Sequence, residues 1–248
     1  MPLAIDACAA VHIGDRSEQQ DRVAIIPHST RKDCLLAVLA DGMGGHTGGA
    51  IAAEQVLLKA KQNFSFYSPN EESSREFLSS VIEEAHVVIK LTRFTSERDP
   101  HSTAVVFILR PGVAEWAHCG DSRIYHFRSG KLMARSQDHS LVGELIRTKR
   151  ITEEMALCHP QRNLLLSCLG AEREPLINFG KAEAIEVGDA FILCSDGLWG
   201  VLGDAEIGNT LNRMDARSAA RMLIDMARSR SDGGGDNISM AIIKITPG

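Results

Sequence analysis

The local pattern in this chain with most chemical potential is an aspartate that closes an apolar run and opens a turn. Asp41 follows Val38-Leu39-Ala40, Asp121 follows Trp116-Ala117-His118-Cys119-Gly120, and Asp196 follows Phe191-Ile192-Leu193-Cys194-Ser195, whereas Asp236 precedes its apolar run. One such turn is ordinary. Gathered at one end of a sheet, however, four like charges repel and must be offset by protonation or by cations. A donor set made only of carboxylates, without His or Cys spacing, selects magnesium or manganese over zinc. Two such cations can share a carboxylate and activate the water between them for in-line attack on phosphorus. That chemistry also needs an anion anchor. Arg16, five residues ahead of Asp21, can offer a bidentate guanidinium to phosphate oxygens.

The turn headed by Asp41 runs Asp41-Gly42-Met43-Gly44-Gly45-His46-Thr47-Gly48-Gly49. A glycine-rich loop ahead of a helix can cradle phosphate, but the dedicated phosphate loop ends in Gly-Lys-Ser/Thr, and the first lysine downstream is Lys59. With a carboxylate leading, a hard cation is the better ligand; a tight turn with a solvated Asp is the bland alternative.

Hydrophobic periodicity supplies the elements that must position these groups. Strands are predicted over 4–12, 22–27 and 34–40, followed by helices over 50–64 and 73–95. Strands over 103–110, 113–119, 122–127 and 131–135 come next, joined by turns short enough to make them antiparallel neighbours. Short helices over 141–150 and 153–158 follow, the second capped by Thr152. The region around 141–165 is the least regular and is predicted to be a mobile flap. The last third holds strands over 176–179 and 189–194, a turn at Ser195-Asp196-Gly197, helices over 205–214 and 216–229 capped by Asp204 and Asp215, and a final strand over 238–245. Blocks of strands and helices with tight strand-to-strand turns indicate an α+β layered fold with antiparallel sheets. No linker or repeat divides the chain, so residues 1–248 are read as one domain.

The 248 residues are 44% hydrophobic and 24% charged, ordinary for a globular protein, with a net charge of -5. Acids and bases are interspersed and no Lys/Arg run exceeds two residues, so no nucleic-acid face is expected. The six cysteines form no Cys-x-x-Cys pair and lie mostly in apolar runs, a pattern of buried thiols in a reducing compartment. No basic leader and no apolar run of membrane-spanning length is present, so a cytoplasmic protein without membrane contact is expected.

Arg16-x-x-x-Gln20-Asp21, Asp41-Gly42-Met43-Gly44-Gly45-His46, Ser102-Thr103-Ala104, Gly120-Asp121-Ser122-Arg123, Gln137-Asp138-His139-Ser140, Ser195-Asp196-Gly197-Leu198-Trp199 and Asp236-Asn237 occur in that order. The ordered set resembles the metal-dependent protein phosphatases, the PPM or type 2C family, from about residue 12 to 245, and Gln20 and the compact length resemble its bacterial branch. The resemblance implies a β-sandwich of two antiparallel sheets flanked by helices on both sides. It implies a phosphoserine/phosphothreonine phosphatase working by attack of a metal-bridged water, with magnesium or manganese, two ions per site. Asp41 would bridge both ions, Gly42 would lend its carbonyl to one, and Asp196 and Asp236 would hold the other. Asp21 would act through water, Arg16 would bind substrate phosphate, and Asp121 would join Asp196 at a third, weaker metal site. Implied partners are a phosphorylated protein substrate, a serine/threonine kinase and its targets, with the chain itself a monomer.

Three positions depart from the family pattern. Gly200 stands where many members carry an Asp, removing a ligand of the third ion. Met43 stands where eukaryotic members carry a histidine proposed as general acid, and a thioether donates no proton. Gln20 replaces a glutamate ligand, so the second ion should keep more water. Met43 and Gly200 motivate an alternative reading, a catalytically weak or inactive metal-binding regulatory module. Asp138-His139-Ser140 is not part of a serine triad, because no Gly-x-Ser-x-Gly elbow exists, and is read as a structural turn. His46, His118 and His126 are read as structural or packed, Asn237 as orienting Asp236 or capping its turn, and Trp116 and Trp199 as core.

Overall fold

Residues 35–40 and 190–194 are apolar at every position and buried at every position, which places each run between layers on both of its faces. The computed structural model describes residues 3–44, 48–92 and 99–248. In chain order they form β1 (Leu3–His12), β2 (Arg22–Pro27), β3 (Leu35–Ala40), β4 (Gly42–Met43), α1 (Gly48–Phe66) and α2 (Ser74–Thr92). Then come β5 (His101–Ser102), β6 (Ala104–Arg110), β7 (Val113–Cys119), β8 (Arg123–Arg128), β9 (Lys131–Arg135), α3 (Leu141–Arg147) and α4 (Glu153–Leu157). The last third holds β10 (Asn178–Glu183), β11 (Asp189–Cys194), α5 (Asp196–Trp199), α6 (Asp204–Arg213), α7 (Ala216–Ser231) and β12 (Ile238–Pro247).

Two five-stranded antiparallel sheets result, ordered β1-β12-β11-β8-β9 and β10-β7-β6-β3-β2. Alternation within a strand decides which layer each side chain joins. Leu35, Ala37 and Leu39 of β3 meet Phe191 and Leu193 of β11 in the core between the sheets, where the Phe107 and Phe191 rings lie 5.0 Å apart. Leu36, Val38 and Ala40 face outward under α1 and α2, and Ile192 and Cys194 face outward under α6 and α7. The fold is therefore the expected β-sandwich covered by helices on both sides. Burying one side chain such as Phe191 contributes roughly 1.5–3 kcal/mol, and three such layers are stacked here.

Several local expectations are corrected. The strand predicted over 176–179 is shifted to β10, whose register is set by pairing with β7 from Asn178↔His118 to Glu183↔Val113. The turn at Ser195 winds into the short helix α5. The N-cap of α6 is Gly203: Glu206 reaches back to the Gly203 N–H, while Asp204 is drawn off to Arg135 at 2.9 Å. The two-residue strands β4 and β5 are too short to leave a periodic signal. Helix α1 extends two residues beyond prediction at each end, and α3 stops at Arg147. The readings of His46 and of residues 93–95 fall outside the described residues.

Candidate active site

Antiparallel pairing brings the candidate acids to one end of the sandwich. Arg22 pairs with Ala40, so Asp21 entering β2 lies opposite Asp41 leaving β3. Cys194 pairs with Met240, so Asp196 after β11 lies beside Asp236 before β12. The two sheets are tied across this end by Ser195, whose Oγ donates to Asp21 Oδ2 at 2.8 Å and accepts from Ser239 N at 3.0 Å. Asp121 enters from the β7–β8 turn.

The electrostatics show that these groups share one environment. Burial, then the charges of Asp21, Asp196, Asp121 and Asp236, hold the Asp41 carboxyl well above the usual carboxylate range. Burial, then Asp121, Asp236 and Asp21, do the same to Asp196. Burial pushes Asp21, 2% exposed, up to about 6, and pushes Asp121, 8% exposed, up to about 7. Arg16 meets the cluster from the rim, its Nη2 2.6 Å from Asp236 Oδ2 and its side chain 60% exposed. Five carboxylates with one rim guanidinium are a donor set for hard divalent cations, which suits magnesium or manganese. Among the described residues no three Asp, Glu, His or Cys side chains close on a single point, so each ion would fill its shell with carbonyl or water oxygens as well.

Backbone contacts hold the acids in place. Asp41 N donates to Thr103 Oγ1 at 3.0 Å, and Asp41 O accepts from Thr103 N at 2.9 Å and Ser102 Oγ at 3.1 Å. Thr103 Oγ1 shares a 2.7 Å hydrogen bond with Ser122 Oγ, linking the Asp41 and Asp121 turns. With its main chain satisfied, Asp41 leaves its carboxylate to face Asp21 and the other acids. Gly42 sits in β4, and its main chain passes so close to Gly49 at the start of α1 that a Cβ on Gly42 would lie 2.0 Å from Gly49 O. Asn237 stitches the Arg16 loop to the Asp236 turn: its Oδ1 accepts from Gln20 N at 2.7 Å, and its Nδ2 donates to Ile13 O and Glu18 O. Asp15 completes this seam, accepting from Gly235 N at 2.8 Å and lying 2.7 Å from Arg228 of α7.

The candidates Arg16, Asp21, Asp41, Gly42, Asp121, Asp196 and Asp236 thus lie at one end of the sandwich. Met43 pairs with His101 in the β4–β5 bridge. Gly200 ends α5 with helical backbone angles, and a Cβ there would lie 2.7 Å from Asp196 O. Trp116 is buried, while Trp199 is half-buried beneath the Arg123 guanidinium, 3.6 Å from its ring centre. Ser195, Thr103, Asp15 and Arg228 were missed as site residues. Ser195 and Thr103 stand within quoted motifs, but their partners are 174 and 62 residues away, and nothing local marks the pairing.

The sequence profile described as "Protein phosphatase 2C" matches residues 8–237. Protein phosphatase PhpP of Streptococcus pneumoniae is 31% identical over 234 residues, 93% of each chain. Serine/threonine phosphatase stp of Listeria innocua is 32% identical over 220 residues, 84% of each. Among solved structures, the S. agalactiae serine/threonine phosphatase superposes with a TM-score of 0.87 at 29% identity, covering 97% of this chain and 99% of that one. The catalytic domain of PstP, solved with two manganese ions, superposes with a TM-score of 0.82 at 26% identity, covering 99% and 100%. Motif order, two-sheet architecture and acid placement thus agree with an independent match over most of the length: this chain belongs to the protein phosphatase 2C family.

Proposed function

We propose that this protein is a metal-dependent phosphoprotein phosphatase that hydrolyses phosphoserine and phosphothreonine, reversing a bacterial serine/threonine kinase. The observation that carries the reading is the group of Asp21, Asp41, Asp121, Asp196 and Asp236 at one end of the sandwich with Arg16 at its rim. Asp41 and the Gly42 carbonyl would hold one divalent ion, and Asp41, Asp196 and Asp236 the other. When bound, the ions supply Lewis-acid activation of water and of the phosphoryl oxygens.

The chain's own residues orient the rest. Arg16 exchanges Asp236 for two phosphate oxygens, a contact its planar fork suits. Asp21 is fixed by Ser195 and lies within hydrogen-bonding reach of Asp41, so the pair can share one proton when no cation is present. Met43 donates no proton to the leaving serine or threonine oxygen, and water is the simplest donor to take its place. The names stp and PhpP on relatives, and the two manganese ions on PstP, support the substrate class and the two-ion site. A serine/threonine kinase and its targets as partners, a cytoplasmic setting and a monomeric state complete the reading. Among the described residues no helix is long and apolar enough to cross a membrane. The alternative of an inactive regulatory module is not favoured, because Arg16 and all five acids converge.

The test is hydrolysis of p-nitrophenyl phosphate and of a phosphothreonine peptide with manganese and with magnesium, using Asp41→Ala and Asp236→Ala as controls. Metal-dependent turnover that both substitutions abolish is expected. Turnover without metal, or equal turnover in the controls, would overturn the reading.

A further inference from the structure

Asp138-His139-Ser140 takes no part in the chemistry above, yet its three side chains reach three different parts of the molecule. Asp138 Oδ1 and Oδ2 each accept from Arg123 at 2.8 Å, and Arg123 lies over Trp199 at the end of α5, the helix that Asp196 begins. His139 grips Gly120, the neighbour of Asp121: its main-chain N donates to Gly120 O at 2.9 Å, and its ring Nδ1 accepts from Gly120 N at 3.2 Å. Ser140 caps α3, its Oγ accepting from Gly143 N at 3.1 Å.

The same triplet closes the base of the 141–165 segment. Leu166 N donates to His139 O at 2.8 Å, Leu141 N donates to Leu164 O at 2.8 Å, and Ser140 bridges Leu165 in antiparallel fashion. His139 therefore stands between the Asp121 turn and that base, bonded to both through its own main chain. Its ring is 5% exposed and stacks on His118 at 4.8 Å. With Nδ1 accepting, the ring proton sits on Nε2, which has no partner among the described residues. A buried N–H without a partner is unfavourable, and an apolar side chain would fill the space without it. The acceptor at Nδ1 is what distinguishes histidine here.

We propose that Asp138-His139-Ser140 is a positioning clamp that sets the Asp121 turn and the base of the 141–165 segment as one unit, with His139 as its pivot. The clamp rests on the phosphatase reading: a phosphopeptide reaching past the acids would meet, as a wall, the segment whose base is bonded to the turn that carries Asp121. A small substrate such as p-nitrophenyl phosphate needs the metal-holding acids but not that wall.

The experiment uses the full chain carrying His139→Leu, His139→Asn or Ser140→Ala, with wild type as reference. Wild-type turnover of p-nitrophenyl phosphate tests the phosphatase reading by itself, whereas amide exchange at Gly120 and at 164–166 tests the clamp whether or not turnover occurs. His139→Leu is expected to raise KM for a phosphothreonine peptide about tenfold, to change kcat for p-nitrophenyl phosphate less than threefold, and to speed exchange at both places. His139→Asn, whose side-chain oxygen can accept from Gly120, is expected to recover most of that loss. Ser140→Ala is expected to raise peptide KM without altering Gly120 exchange. Parallel losses on both substrates, an unchanged peptide KM, or an Asn variant no better than Leu would overturn the clamp. Should the Leu variant not fold, binding of a non-hydrolysable phosphopeptide to wild type decides: slowed exchange at Gly120 and at 164–166 together supports the clamp, and slowing at one alone overturns it.

Discussion

Strand β11 is flanked by an aspartate at each end, one buried and one half-buried, and the two are treated in opposite ways. At its start, Asp189 is wholly buried; burial pushes its carboxyl up, but two bonds from Arg128, the Glu186 N–H and His126 outweigh that and hold it below the usual range. Just past its end, Asp196 meets Asp21, Asp121 and Asp236, and its carboxyl stays well above the usual range. One acid is neutralised by the chain, and the other is left for something the chain does not contain. The lesson is that burial of a carboxylate identifies no function; the absence of an internal counter-charge does.

The comparison breaks most visibly through the catalytic end. Asp41→Asn or Asp236→Asn should lower manganese-dependent turnover by at least about a thousandfold, roughly 4 kcal/mol in the barrier, while circular dichroism shows an intact fold. Unchanged turnover in either variant would end the assignment of that acid. The opposite end should respond in the opposite sense. Arg128→Met leaves Asp189 buried with a weakened partner set and should destabilise the protein by about 3 kcal/mol in urea unfolding, with kcat of the folded protein unaltered. A stability loss under about 1 kcal/mol would mean that His126 and the Glu186 N–H suffice on their own.

A third prediction concerns pH and follows from the sign of the shifts. Asp21 and Asp121 bind protons in the folded chain up to about pH 6 and about pH 7, whereas in the unfolded chain they release them near 3.8. Their stabilisation is full below pH 4 and is lost as pH rises through 6 and 7. Metal-free protein should therefore lose on the order of 4 kcal/mol, or about 8–16 °C in Tm, between pH 5 and pH 8. Saturating manganese should remove most of that slope; a slope unaffected by metal would separate these acids from any cation site. The smallest effect is expected at Gly200→Asp. The new carboxylate adds a third-site ligand, but its Cβ, 2.7 Å from Asp196 O, forces a small backbone shift at Asp196. Calorimetry should show a gain in weak manganese binding together with a stability loss of about 1 kcal/mol; unchanged binding would count against a third site near Asp121 and Asp196.

Much of this architecture was legible because burial on both faces writes itself as uninterrupted apolar runs, as at 35–40 and 190–194, and because an acid ending such a run stands out. The layered fold and the convergent acids followed from that grammar, sharpened by the order of the motifs. What the chain did not announce were the contacts that hold those acids still. Ser195 on Asp21, Thr103 on Asp41 and Arg228 on Asp15 join residues far apart in sequence, each of a type common on any surface. Short elements were illegible for another reason: two-residue β4 and four-residue α5 hold about one period of their patterns, too little for a repeat to show. Asp204 misled as a cap because Arg135, a tertiary partner, claims its carboxylate.

The crossing of Gly42 and Gly49 bears on how this protein can be altered by selection in the laboratory. A Cβ on Gly42 meets Gly49 O and C, and a Cβ on Gly49 meets Gly42 C and O and Met43 N, main-chain atoms in every case. No side-chain change elsewhere can clear that space. In a saturation library both positions should tolerate glycine alone, and a loss at either should have no suppressor: the two sites are closed to repair as well as to variation.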